Sequence, residues 1–66
     1  MKILFAYHTD QDQLRAFADK VQADVRAHIG TYCEDEESSV DLHIEEADLF
    51  EVRTIAHAFG VDLEEA

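Results

Sequence analysis

The residues that could carry out covalent chemistry are few and isolated. Cys33 is the only cysteine among the 66 residues, and the acidic run that follows it disfavours the thiolate, which is the nucleophilic form. The sequence contains no Gly-x-Ser-x-Gly motif, phosphate-binding loop or dinucleotide-binding fingerprint. We therefore expect a protein without enzymatic activity and without a cofactor.

Metal ligands are present, but their spacing is unfavourable. His8, His43 and His57 could combine with carboxylates. No two histidines have His-x-His or His-x-x-x-His spacing, and the acidic segment lacks the mid-loop glycine of a calcium-binding loop. These patterns predict no metal site.

Carboxylates are the functional group that the chain carries in excess. It has 16 acidic and 5 basic residues and a formal net charge of -11. Residues 1–33 contain four of each sign, so the whole excess falls in residues 34–66. Nine acids between Cys33 and Glu51 are the candidate partner-binding residues: Glu34, Asp35, Glu36, Glu37, Asp41, Glu45, Glu46, Asp48 and Glu51.

Closely spaced carboxylates can imitate the phosphates of a nucleic acid. DNA carries one negative charge for each ~1.7 Å of helix axis, and proteins that bind it meet these charges with Lys and Arg. On a strand, Asp41 and Glu45 would lie roughly 13 Å apart on the same face. The segment thus predicts binding to the basic nucleic-acid groove of another protein. The same charge would repel nucleic acid, so we expect no direct binding to it.

Two alternatives explain the charge without such a partner. A protein adapted to high salt, or one whose charge serves solubility, also has excess acids, although the neutral first half of this chain argues against that explanation. A homodimer or a toxin antidote could use an apolar strip beside the acids. We expect a monomer.

The first half of the chain predicts a strand followed by a long helix. The apolar run at residues 3–7 indicates a central strand. Residues 9–10, Thr and Asp, can cap a helix, and apolar residues then recur at steps of three and four over residues 14–29. Gly30 would end this helix, with His28 partly buried near its C-terminus.

The second half predicts further strands and a shorter helix. Residues 31–33 favour a short edge strand and residues 34–39 an acidic hairpin turn. Residues 40–45 alternate between apolar and polar types, which is typical of a half-buried strand.

The last predicted element is a helix that begins at Asp48 and ends at Gly60. Asp48 and Glu51 have the spacing of a capping box, and Gly60 suits a left-handed cap. The tail at residues 62–66 should be loosely ordered.

These elements predict a single α+β domain over residues 1–66 with the order β-α-β-β-α. Two helices should pack on one face of a sheet of two or three strands. The apolar run near the N-terminus is too short for a signal peptide or a membrane span. We therefore expect a protein of the cytoplasm that does not associate with membranes.

In size, single-domain organisation and carboxylate excess, the chain resembles the small acidic phage-encoded anti-CRISPR proteins that act as DNA mimics against type I effector complexes, type I-C among them. These proteins share no motif, so the resemblance transfers no residue roles. It implies a mechanism in which an acidic face occupies a Lys- and Arg-lined groove of the surveillance complex and excludes target DNA.

Overall fold

The structure, a computed structural model, describes residues 1–34 and 36–66. Within these residues the chain forms β1 (Lys2–His8), α1 (Gln11–Asp24), β2 (Ala27–Cys33), β3 (Ser38–Ile44), a 3-10 turn (Glu46–Asp48), α2 (Leu49–Phe59) and β4 (Asp62–Glu65). The strands make one antiparallel sheet in the order β2-β3-β1-β4. This connectivity and strand order are those of the ferredoxin-like arrangement.

The strand predicted to be central, β1, is central. It lies between β3 and β4 and pairs with both. Leu4 and Ala6 point into the core, with exposures of 1% and 0%. Ile3 and Phe5 alternate with them and lie on the other side of the sheet, with exposures of 40% and 37%. The apolar run therefore contributes side chains to both faces of the sheet.

Both helices pack on one face of the sheet, as predicted. Phe17 of α1 and Phe59 of α2 meet edge to face, with ring centroids 6.4 Å apart. No buried side-chain nitrogen or oxygen in the described part of the chain lacks a hydrogen-bond partner. The apolar core consists of Leu4, Ala6, Leu14, Phe17, Val21, Val40, Leu42, Ile44, Val52, Ile55, Ala56 and Val61.

The prediction of one long first helix was wrong. α1 ends at Asp24, and Val25 is already extended, with φ -135° and ψ 166°. The apolar residues beyond it belong to β2, where β-branched and aromatic side chains are favoured and pairing with β3 satisfies the backbone. His28 is consequently an exposed strand residue, and Gly30 lies inside β2 instead of capping a helix.

The predicted sheet of two or three strands was too small because the tail forms β4. Gly60 adopts a left-handed conformation (φ 68°), as predicted, and the Val61 N–H donates to the Ala56 carbonyl at 2.8 Å. This turn sends the chain back along β1, where Leu63 packs against the core. Neither helix of the described chain has the length and apolar content that a membrane span requires.

The two helix N-termini differ in how they are capped. Asp10 accepts a hydrogen bond from the Asp12 N–H at 3.0 Å, so the predicted cap of α1 is present. Asp48 precedes α2 but makes no capping hydrogen bond with its side chain. The predicted capping box with Glu51 was therefore wrong, since a 3-10 turn leads into this helix.

Candidate protein-binding surface

No helix or strand of residues 1–34 and 36–66 covers the face of the sheet opposite the helices, and we call this face the open face. Its residues alternate with those of the core along each strand. Residues that are partners across neighbouring strands project from the same side of a sheet, so the register groups them into rows. The open face consists of His28 and Cys33 of β2, Ser39, Asp41 and His43 of β3, Ile3, Phe5 and Tyr7 of β1, and Asp62 and Glu64 of β4.

No lysine or arginine belongs to the open face, and two of the five basic residues bind Glu65 on the helical side of the sheet. Lys2 Nζ lies 2.8 Å from Glu65 Oε1, and Arg53 Nη2 lies 3.2 Å from Glu65 Oε2. The pKa of Glu65 is lowered, first by the hydrogen bond from Lys2 and then by its charge. The pKa of Lys2 is raised by the same contact.

Two of the other three basic residues also lie away from the open face, and the third, Arg26, borders one end of it. Lys20 pairs with Asp24 one turn later in α1, at 3.1 Å. The Arg15 guanidinium lies over the ring of Tyr32, 4.5 Å from its centroid. Burial of Tyr32 raises its pKa. Arg26 lies in the connection between α1 and β2. Within residues 1–34 and 36–66, no Lys or Arg forms an ion pair with a candidate acid.

Asp41, in the middle of β3, is the candidate acid with the most defined geometry. Its Oδ1 accepts a hydrogen bond from the Thr31 N–H at 3.0 Å. Its Oδ2 accepts one from His43 Nε2, also at 3.0 Å; a carboxylate cannot donate, so the histidine must. The hydrogen bond from His43 and then that from Thr31 lower the pKa of Asp41. Asp41 is therefore held as an oriented anion.

A bulge in β2 makes room for this carboxylate. Ile29 pairs with Leu42 and Tyr32 with Val40, so two residues, Gly30 and Thr31, face Asp41 alone. A Cβ at Gly30 would collide with the Asp41 carboxyl group. Glycine is thus required here for close approach, and the bulge turns the Thr31 N–H toward Asp41.

Acids lie at both ends of the open face. At the hairpin end, Glu36 and Glu37 line a shallow, open groove together with Tyr7 and Ser39. At the opposite end, Glu45 lines another shallow groove together with Arg26, His28 and His43. The two histidine rings meet edge to face at 5.7 Å. Four of the nine candidate acids, Glu36, Glu37, Asp41 and Glu45, therefore border or occupy one face.

Three candidate acids lie on a different part of the surface. Glu46 and Asp48 belong to the 3-10 turn, and Glu51 belongs to the first turn of α2. Glu51 borders a shallow depression with Phe50, whose side chain is 82% exposed. The expected continuous row from residue 34 to residue 51 is thus divided, because the chain leaves the sheet after β3 and enters the helical layer.

The remaining two candidates are less informative. Glu34 follows the last residue of β2 and is exposed. Asp35 lies outside the described residues.

Two acids of the open face were missed because the tail was predicted to be loosely ordered. Asp62 pairs with Tyr7, and Glu64 pairs with Phe5, across β4 and β1. The alternation of Val61 and Leu63 with these acids was the available signal, since a period of two indicates a half-buried strand.

Catalytic and metal-binding groups do not converge. No group of three or more His, Cys, Asp or Glu residues in the described chain has an arrangement that could hold a metal ion. Cys33 is exposed as a free thiol, and Ser39 is its partner across the strands.

Neither the models of known protein families nor the curated proteins include a match to the chain.

Proposed function

We propose that this chain is a non-enzymatic inhibitor that binds the basic nucleic-acid groove of another protein and excludes nucleic acid from it. The observation that carries the proposal is the segregation of charge between the two sides of the sheet. The open face has acids from β3, β4 and the ends of the strands, and of the five basic residues only Arg26 borders it. The partner class that fits the resemblance described above is a type I CRISPR-Cas effector complex.

The spacing of these acids supports a shared electrostatic field. Strands are about 4.8 Å apart, so Asp41 and Glu64, on either side of β1, have Cα atoms about 10 Å apart. That separation is close to the screening length of about 8 Å at physiological salt, so the charges act partly together. A groove lined with Lys and Arg could therefore bind this face in place of the phosphates of a nucleic acid, because both supply closely spaced negative charge.

A competition experiment tests the proposal. The chain is used to capture proteins from a cell lysate at low salt, and a captured nucleic-acid-binding protein is purified. We expect the chain to displace labelled DNA or RNA from that protein, with an apparent affinity that falls steeply as salt rises. Capture that survives high salt and leaves the nucleic acid bound would contradict the proposal.

Charge reversal distinguishes the open face from other acidic surface. Glu36→Lys with Glu37→Lys should weaken displacement strongly. The matched control is Glu46→Lys with Glu51→Lys, which makes the same change in net charge away from the open face and should weaken displacement less. Equal losses in the two variants would show that net charge alone is responsible.

Unfolding in dilute buffer tests the alternative of salt adaptation. A salt-adapted domain should lose its fold when salt is removed, because its acids then repel one another without screening. An inhibitor from an ordinary cytoplasm should remain folded there. Circular dichroism over a salt series separates the two.

A further inference from the structure

The centre of the open face is apolar, although no element in the described part of the chain covers it. Ile3, Phe5 and Tyr7 follow one another along β1, and Ile3 and Phe5 remain 40% and 37% exposed. Single exposed apolar residues are common, but a contiguous apolar strip with a charged border is typical of a protein-binding surface. Electrostatic mimicry of phosphates does not by itself require this strip.

Phe5 lies between two carboxylates. Its partner in β3 is Asp41, and its partner in β4 is Glu64. An aromatic ring with a carboxylate on either side suits a guanidinium group, which is planar, weakly hydrated, stacks on aromatic faces and forms paired hydrogen bonds with carboxylates. A lysine ammonium fits less well, because it is a compact and strongly hydrated charge.

The Asp41 carboxylate has a fixed orientation, in which its oxygens are directed toward β2 and toward His43. Its two oxygens provide about four acceptor positions, and the Thr31 N–H and His43 occupy one on each oxygen. Acceptor capacity therefore remains on a carboxylate that needs no reordering upon binding, which lowers the entropic cost of association.

We propose that the open face is a docking surface for arginine side chains of the partner, with Phe5 as the stacking platform and Asp41 and Glu64 as the flanking acceptors. This inference rests on the proposed function and specifies its partner chemistry. A second copy of the chain fits the face poorly, because it would bring Asp41, Asp62 and Glu64 against their own counterparts without a Lys or Arg between them.

Binding of oligo-arginine and oligo-lysine peptides of equal length to the full chain tests this inference. The readouts are the dissociation constants and the amide chemical shifts. We expect tighter binding of the arginine peptide, with the largest shifts in β1, β3 and β4. Equal affinities for the two peptides would overturn the inference, and so would shifts centred on α1 or α2.

Matched substitutions locate the contact. Phe5→Ala should weaken arginine-peptide binding by roughly twofold to fivefold, the range of a cation–π contact at an exposed site, and should reduce the preference over lysine. Phe50→Ala, the same change at an exposed position in α2, should have no such effect. Glu64→Gln should weaken binding of the arginine peptide more than Glu51→Gln does. This second pair of variants tests the site even if Phe5→Ala does not fold.

The results separate this inference from the function on which it rests. Salt-sensitive binding of both peptides without arginine preference, unchanged by Phe5→Ala and Glu64→Gln, would overturn the arginine site and leave the acidic inhibitor standing. Failure to bind either peptide, together with failure to displace nucleic acid, would overturn both. A dimer in light scattering that buries the open face would also overturn the inference, since a second copy would then be its occupant.

Discussion

The two faces of the sheet use the same strands for different purposes. On the helical face, alternate residues of β1 and β3 are buried and apolar, and the basic residues along its margin bind Glu65. On the open face, the intervening residues are an apolar strip bordered by carboxylates. The difference shows that the apolar character of β1 exceeds what packing against the helices requires, and it is the reason we propose the open face as the binding side.

The strongest test of this comparison is the truncation of one phenylalanine on each side. Phe17 of α1 is fully buried and packs against Phe59 of α2, so Phe17→Ala should cost about 3 to 5 kcal/mol. That is much of the stability of a domain this small, on the order of 3 to 10 kcal/mol. Phe5→Ala should cost about 1 kcal/mol, typical of a partly exposed site. Urea unfolding followed by circular dichroism measures both.

Similar losses in the free energy of unfolding for Phe17→Ala and Phe5→Ala would contradict the difference between the two faces. They would mean that the open face is covered in solution, and the oligomeric state would then have to be measured.

The second test concerns how the bulge holds Asp41. Gly30→Ala should cost about 1 to 2 kcal/mol, because the new methyl group displaces the carboxylate from hydrogen bonds of this strength. In an Asp41→Ala background the same change should cost less, since there is no carboxylate to displace. Unfolding of the two single variants and the double variant gives the coupling. Strictly additive costs would contradict the geometry.

The smallest expected effect is the pH dependence contributed by Asp41. Its pKa is lower in the folded chain, so its contribution to stability is complete above the unfolded pKa of about 3.9 and is lost as pH falls through the folded value. Asp41→Asn should therefore be less stable than the parent at neutral pH, and the difference should shrink in acid. A difference that stays constant down to strong acid would show that the charge of Asp41 is not responsible.

Local sequence patterns correctly predicted the elements whose apolar residues recur with a clear period. The prediction failed where the apolar residues fit both the helical period and the strand period. The alternation at residues 40–45 and the glycine cap at Gly60 were read correctly. Residues 25–29 fit a helical stripe as well as a strand, and only pairing with β3 decides between them. The end of α1 could not be placed from local sequence because that pairing depends on residues far along the chain.

The candidate site was predicted in part for a related reason. The alternation along β3 placed Asp41 on an outer face, and this was confirmed. The grouping of Asp41 with Asp62 and Glu64 depends on the register of three strands, which joins residues about 20 positions apart. The assignment of Glu46, Asp48 and Glu51 to another surface depends on where the chain leaves the sheet.

The sequence by itself determined the size of the charge excess, the types of its strongly periodic elements and the absence of Lys and Arg from residues 34–51, because these are properties of composition and short-range order. Only the tertiary structure decided that part of the excess borders one open face, and that Phe5 is paired with Asp41 and Glu64. Strand register sets those neighbours, and register follows from burying the alternate residues of every strand at once.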